Sequence, residues 1–148
     1  MKAWLMHLHL CAYKKSFKGT LVITRHSSRS KTNEYQLSLE FKPIKEKIAL
    51  KSLDILRTNA LKGLNDCWPI PPESGWALAS AGKDNLAKGK KAFIDRWNGS
   101  FHNQGECKKE EMYICFGIDC DASIFLESKD FQEAFSILYA PLIGNLTT

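Results

Sequence analysis

Long hydrophobic runs are missing from this 148-residue sequence. Its most apolar stretch, Ala3 to Ala12, is interrupted by His7 and His9 and falls far short of the roughly 20 residues that a membrane span needs. No membrane partner is therefore expected. Paired cysteines are missing as well. Cys11, Cys67, Cys107, Cys115 and Cys120 are odd in number, and none belongs to a Cys-x-x-Cys pair, so a disulfide framework, a zinc ribbon and a thioredoxin-like centre all lack their usual spacing. Buried free thiols are expected instead. A zinc set made of His102, Cys107, Cys115 and Cys120 fails because a strand through Tyr113 to Asp119 would leave Cys115 and Cys120 on opposite faces. Lys88-Gly89-Lys90-Lys91 lacks the upstream glycine of a phosphate loop and reads as a solvated helix face. Acidic residues are scarce in the first part of the chain: residues 1–63 hold 13 Lys and Arg against 4 Asp and Glu, whereas residues 64–148 hold 8 against 12. That asymmetry points to an acidic partner surface or a nucleic-acid backbone.

What is present reads as one ordinary globular domain over residues 1–148, with 44% hydrophobic and 25% charged residues. Lys2 and the run behind it imitate a signal peptide, and Cys11 a lipoprotein cysteine. Leu10 stands where a small residue should precede the cut, so a mature cytoplasmic N-terminus is expected. WLMHLHLCA alternates imperfectly and predicts a strand with Trp4, Met6, Leu8 and Leu10 inside and His7 and His9 outside. TLVITRH and YQLSLEF predict two more, giving a three-strand antiparallel meander. From Pro43, Ala49, Leu53, Leu56, Ala60 and Leu64 fall at helical spacing. The three prolines of CWPIPPESGW predict a stiff extended connection. A second helix should begin at Asp84, turn Leu86, Phe93 and Trp97 inward and stop at Asn98-Gly99. Residues 100–110 read as a polar loop, MYICFGID as a buried strand, and Phe131, Ala134, Phe135, Leu138 and Leu142 as the stripe of a last helix with Asp130 and Glu133 in capping-box positions. The fold class expected is α+β: a small, mostly antiparallel sheet, the meander plus a later strand, with about three helices packed on one face.

Several stretches imitate chemical sites. Asp119 to Asp130, DCDASIFLESKD, has the ligand spacing of an EF-hand loop. Its sixth position is Ile124, where the turn needs glycine, its twelfth is Asp130 rather than glutamate, and no second hand pairs with it. An acidic turn feeding a helix N-terminus explains the same carboxylates. Asp119-Cys120-Asp121 also resembles the nucleophile motif of aspartate-based phosphatases, but the residues left after it give no room for their later motifs. His7 and His9 on one strand face would suit a metal pair or, joined by His26, the acid and base of phosphodiester cleavage. A polar strip on a half-exposed strand explains them without chemistry.

No cofactor is implied by any of these, and no complete catalytic or metal constellation appears. The reading favoured on sequence is a non-enzymatic binding protein of inhibitor, immunity or adaptor type, acting on a protein partner with an acidic surface. Trp68 and Trp76 on the rigid connection supply anchors and Arg25, Arg29, Lys14 and Lys18 supply charge. Two alternatives stay open: a nucleic-acid-binding protein using the basic N-terminal half, and a small metal-independent RNase using His7, His9 and His26.

Overall fold

A computed structural model describes residues 2–14, 19–25, 35–64, 69–101, 103–118 and 120–147, with backbone alone at 21–25, 35–38 and 147. The chain divides into two compact units, residues 1–59 with 144–148, and residues 60–143.

The first unit opens with helix α1 (Lys2–Tyr13), where a strand was expected. Trp4, His7, Leu8, Cys11 and Ala12 are buried, a three-and-four spacing that only a helix turns to one side, while Met6 is 64% exposed. The alternation misled because His7 was counted as polar. As an aromatic ring with its nitrogens engaged it packs like a core residue. Strands β1 (Thr20–Arg25) and β2 (Tyr35–Phe41) form the expected antiparallel pair, from Thr20 opposite Phe41 to Arg25 opposite Tyr35, with a register shift between Val22 and Ile23. The third strand of the sheet comes from the far end of the chain: β5 (Leu146–Thr147) pairs with the end of β2, and the Lys42 amide donates to the Asn145 carbonyl at 3.2 Å. Among the described residues there is thus no N-terminal three-strand meander. Phe41 anchors the unit, its ring centroid 5.5 Å from Trp4 and 5.3 Å from His7. The helix expected from Pro43 forms as α2 (Glu46–Lys62), with Pro43 outside it rather than in its first turn; only Ala49 of its predicted stripe is buried, and Leu64 lies beyond its end, 80% exposed.

The second unit is helical. Pro71 and Pro72 do not continue an extended connection: Pro72 is the first residue of α3 (Pro72–Gly82), a position where its missing N–H costs nothing. Helix α4 (Leu86–Asn98) is close to expectation, with its cap at Asn85 rather than Asp84, Phe93 and Trp97 buried, Leu86 exposed, and Gly99 ending it at φ 76°. α3 and α4 pack closely where glycines meet. A Cβ on Gly89 would lie 2.7 Å from Gly82 Cα and 2.8 Å from the Leu78 carbonyl oxygen. β3 (Gly99–Ser100) and β4 (Asn103–Gln104) form a two-residue ladder, and a 3-10 turn follows at Glu106–Lys108.

MYICFGID is not a strand. Glu110 and Glu111 occupy the first turn of α5 (Glu110–Phe116), where acidic side chains favour a helix, and Gly117 at φ 81° closes it. Helices α6 (Ala122–Glu127), α7 (Lys129–Leu138) and α8 (Ala140–Gly144) complete the chain. The α7 cap is Ser128, whose hydroxyl accepts from the Phe131 amide at 3.2 Å. The core gathers Leu78, Phe93, Trp97, Met112, Phe125 and Phe131, with Trp97 and Phe125 edge-on at 4.8 Å. The α+β expectation is overturned: among the described residues helix dominates, and the strands form one short sheet and one small ladder.

Candidate nucleic-acid interface

The end of α1 and the entry to α2 enclose a groove of about 570 Å³, lined by Cys11, Tyr13, Lys14, Ile44, Lys45 and Glu46. Its position follows from the buried face of α1. Once Trp4, His7, Leu8 and Cys11 turn inward, Tyr13 and Lys14 project outward, and Tyr13 is 75% exposed. His9 is also exposed, with its ring 6.1 Å from that of Tyr13. Lys42, Lys47 and Lys51 are exposed on the same unit. Ammonium groups beside an open aromatic ring are the parts from which sequence-tolerant nucleic-acid surfaces are built, cations tracking phosphates and the ring stacking a base.

Beneath the groove His7 is fully buried. Its Nδ1 lies 3.0 Å from Thr20 Oγ1 and its Nε2 lies 3.5 Å from Cys11 Sγ, which also accepts from the Ile44 amide at 3.4 Å. Burial holds the His7 pKa below the ordinary imidazole value, partly offset by a backbone hydrogen bond with Lys42, so the ring is neutral near pH 7. The strand geometry that put His7 and His9 on one face is gone. Two residues apart on a helix, one ring points inward and the other outward, and the RNase reading loses its pair; His26 and His102 lie outside the described residues.

Of the expected contact residues, only Lys14 and Trp76 have described side chains. Lys14 stands on the groove, and Arg25 ends β1 with its side chain outside the described set. Lys18, Arg29 and Trp68 lie outside the described residues, and Trp76 is half-buried within α3 rather than on an extended connection. Tyr13 and Lys45, which also line the groove, are not among the contact residues expected from the sequence. The signal available was an aromatic residue directly followed by Lys14 and Lys15.

In the second unit the polar groups close on one another. Glu106 is fully buried and accepts from the Glu73 amide at 2.8 Å and the Ser74 amide at 2.6 Å, capping α3 from a distant part of the chain because Pro71 has no side chain to do so. The Tyr139 hydroxyl donates to the Pro72 carbonyl at 2.8 Å, and burial, helped by the charge of Glu106, pushes its pKa up to about 12. Glu73 pairs with Lys109 and Arg96, and the Lys109 hydrogen bond, then Arg96, hold its carboxyl below the usual range. These contacts tie helix ends together. The EF-hand spacing is likewise absorbed into structure: Asp121 caps α6, accepting from the Ser123 amide at 2.7 Å, and Ile124 sits within that helix, so the required loop is absent. Among the described residues no three His, Cys, Asp or Glu side chains gather into a metal site, and no helix is long and apolar enough to cross a membrane.

A mostly helical chain carrying a short antiparallel pair and a cationic, aromatic groove is the class that these features define. It belongs to the RecC C-terminal domain family, whose family model matches residues 1–83. The match takes in α1 to α3 and both strands of the β1–β2 pair, while α4 onward lies beyond it. A comparison with curated proteins gave no match.

Proposed function

We propose that the chain is a nucleic-acid-interacting module of a RecC-type DNA-repair assembly, and that it contacts the phosphate backbone through the basic first unit. The observation that carries this reading is the coincidence of three things in one stretch: the matched residues 1–83, the excess of cationic residues, and a groove bearing Lys14, Lys45 and an open Tyr13 ring. Lys18, Arg25 and Arg29 add positive charge to the same stretch of sequence, and a cytoplasmic setting goes with the reading. The module acts by binding rather than by turnover.

A labelled oligonucleotide titrated by fluorescence anisotropy tests the proposal. Affinity should fall by an order of magnitude or more between about 50 and 200 mM salt, because each phosphate contact releases a counterion. Saturable binding that ignores salt, or no binding at low salt, would remove it. A protein partner within such an assembly is a second reading, favoured by the half-open ring of Trp76 inside the matched residues. It is an adaptor reading, and it requires a salt-tolerant complex that Trp76→Ala disrupts.

A further inference from the structure

We infer that Cys11 is a reactive thiol, a site of reversible thiolation by small disulfides that enter the α1/α2 groove, with His7 as its base. A buried cysteine is ordinarily inert, and Cys11 is only 7% exposed. Three observations separate it from an ordinary core thiol. Its sulfur lies 3.5 Å from His7 Nε2, one helical turn away, and the other ring nitrogen is held at 3.0 Å by Thr20 Oγ1, an arrangement of nucleophile, base and orienting group. The Ile44 amide donates to the same sulfur at 3.4 Å and so fixes its position beside the ring. Finally, Cys11 lines a groove of about 570 Å³, a volume that admits a small molecule, with Lys14, Lys45 and Glu46 as its charged lining.

In the tautomer with its proton on Nδ1, His7 donates to Thr20 and presents the Nε2 lone pair to the thiol. The S–H proton passes to Nε2, the sulfur attacks one sulfur of the disulfide, and the new S–S bond replaces the old one. The expelled thiolate takes the proton back from His7. Cys11 ends oxidised to the disulfide level and the reagent is reduced to one thiol. A second thiol of the same class reverses the step.

The inference does not depend on nucleic-acid binding, since its readout is a mass change at one residue. The full chain is exposed to oxidised glutathione at neutral pH and the adducts are mapped by peptide mass spectrometry, with the exposed Cys115 as internal reference. Cys11 is expected to acquire its adduct faster than Cys115 in the folded protein. In His7→Phe, which keeps a ring in the core, the Cys11 rate should drop by about tenfold or more while that of Cys115 stays unchanged. Labelling of Cys115 with Cys11 untouched until urea is added would overturn the inference, as would a Cys11 rate indifferent to His7→Phe. Where circular dichroism shows that variant to be unfolded, the wild-type comparison of the two rates decides.

Discussion

A neutral imidazole packs much as a phenyl ring does, and His7 is held in that state between Trp4, stacked at 5.6 Å, and Phe41. Its folded pKa lies below the unfolded value, so the unfolded chain binds more protons once pH drops into the range between the two. The stability that His7 contributes is complete above about pH 6.5 and is lost as pH falls through the folded pKa. Urea unfolding of the wild type should therefore show a falling midpoint below about pH 6.5, and His7→Phe should flatten that dependence. Glu106 is the other buried group whose removal is costly. Glu106→Ala strands the Glu73 and Ser74 amides without an acceptor and should cost about 2–4 kcal/mol. Glu106→Gln, which keeps one carbonyl oxygen, should cost less in the same denaturation series. Neither role was legible in the sequence. A histidine scores as polar whatever its partners, and Glu106 lies 33 and 32 positions from the amides it caps, in a segment that read as a polar loop.

Among elements, the α3/α4 pair gives the sharpest expectation because backbone meets backbone there. Alanine improves helix propensity over glycine by about 1 kcal/mol, yet at Gly89 its methyl would press on Gly82 Cα and the Leu78 carbonyl, neither of which can swing aside. Gly89→Ala should lower stability by about 2 kcal/mol, as overpacking does. Gly144→Ala, which meets nothing within 4 Å, should leave the thermal midpoint unchanged or slightly raised. The elements that the sequence made readable are those whose local pattern and tertiary role agree. β1 and β2 alternate or are β-branched, and α4 and α7 carry apolar stripes with a polar cap. The misread elements are the ones where two patterns coexist. α1 satisfies both a period of two and a three-and-four spacing, and burial of His7 selects the second. α5 has strand-like composition, and its short length, two leading glutamates and closing glycine decide for helix. α3 was hidden by prolines that break a helix anywhere except at its start.

At the scale of the whole molecule the charge split was plain from the sequence and did most of the functional reasoning. The groove was not, because it needs α1 to be a helix before Tyr13 and Lys14 come to stand opposite Lys45. The basic stretch, residues 1–63, lies within the matched residues 1–83. The most direct test compares two charge reversals against one oligonucleotide at fixed salt. Lys14→Glu with Lys45→Glu alters the groove, while Lys88→Glu with Lys91→Glu alters exposed lysines of α4 outside the matched residues. The groove pair should weaken binding about tenfold or more and reduce the salt slope by about two, while the α4 pair leaves both unchanged. Equal losses from the two pairs, or none from the groove pair, would contradict the account.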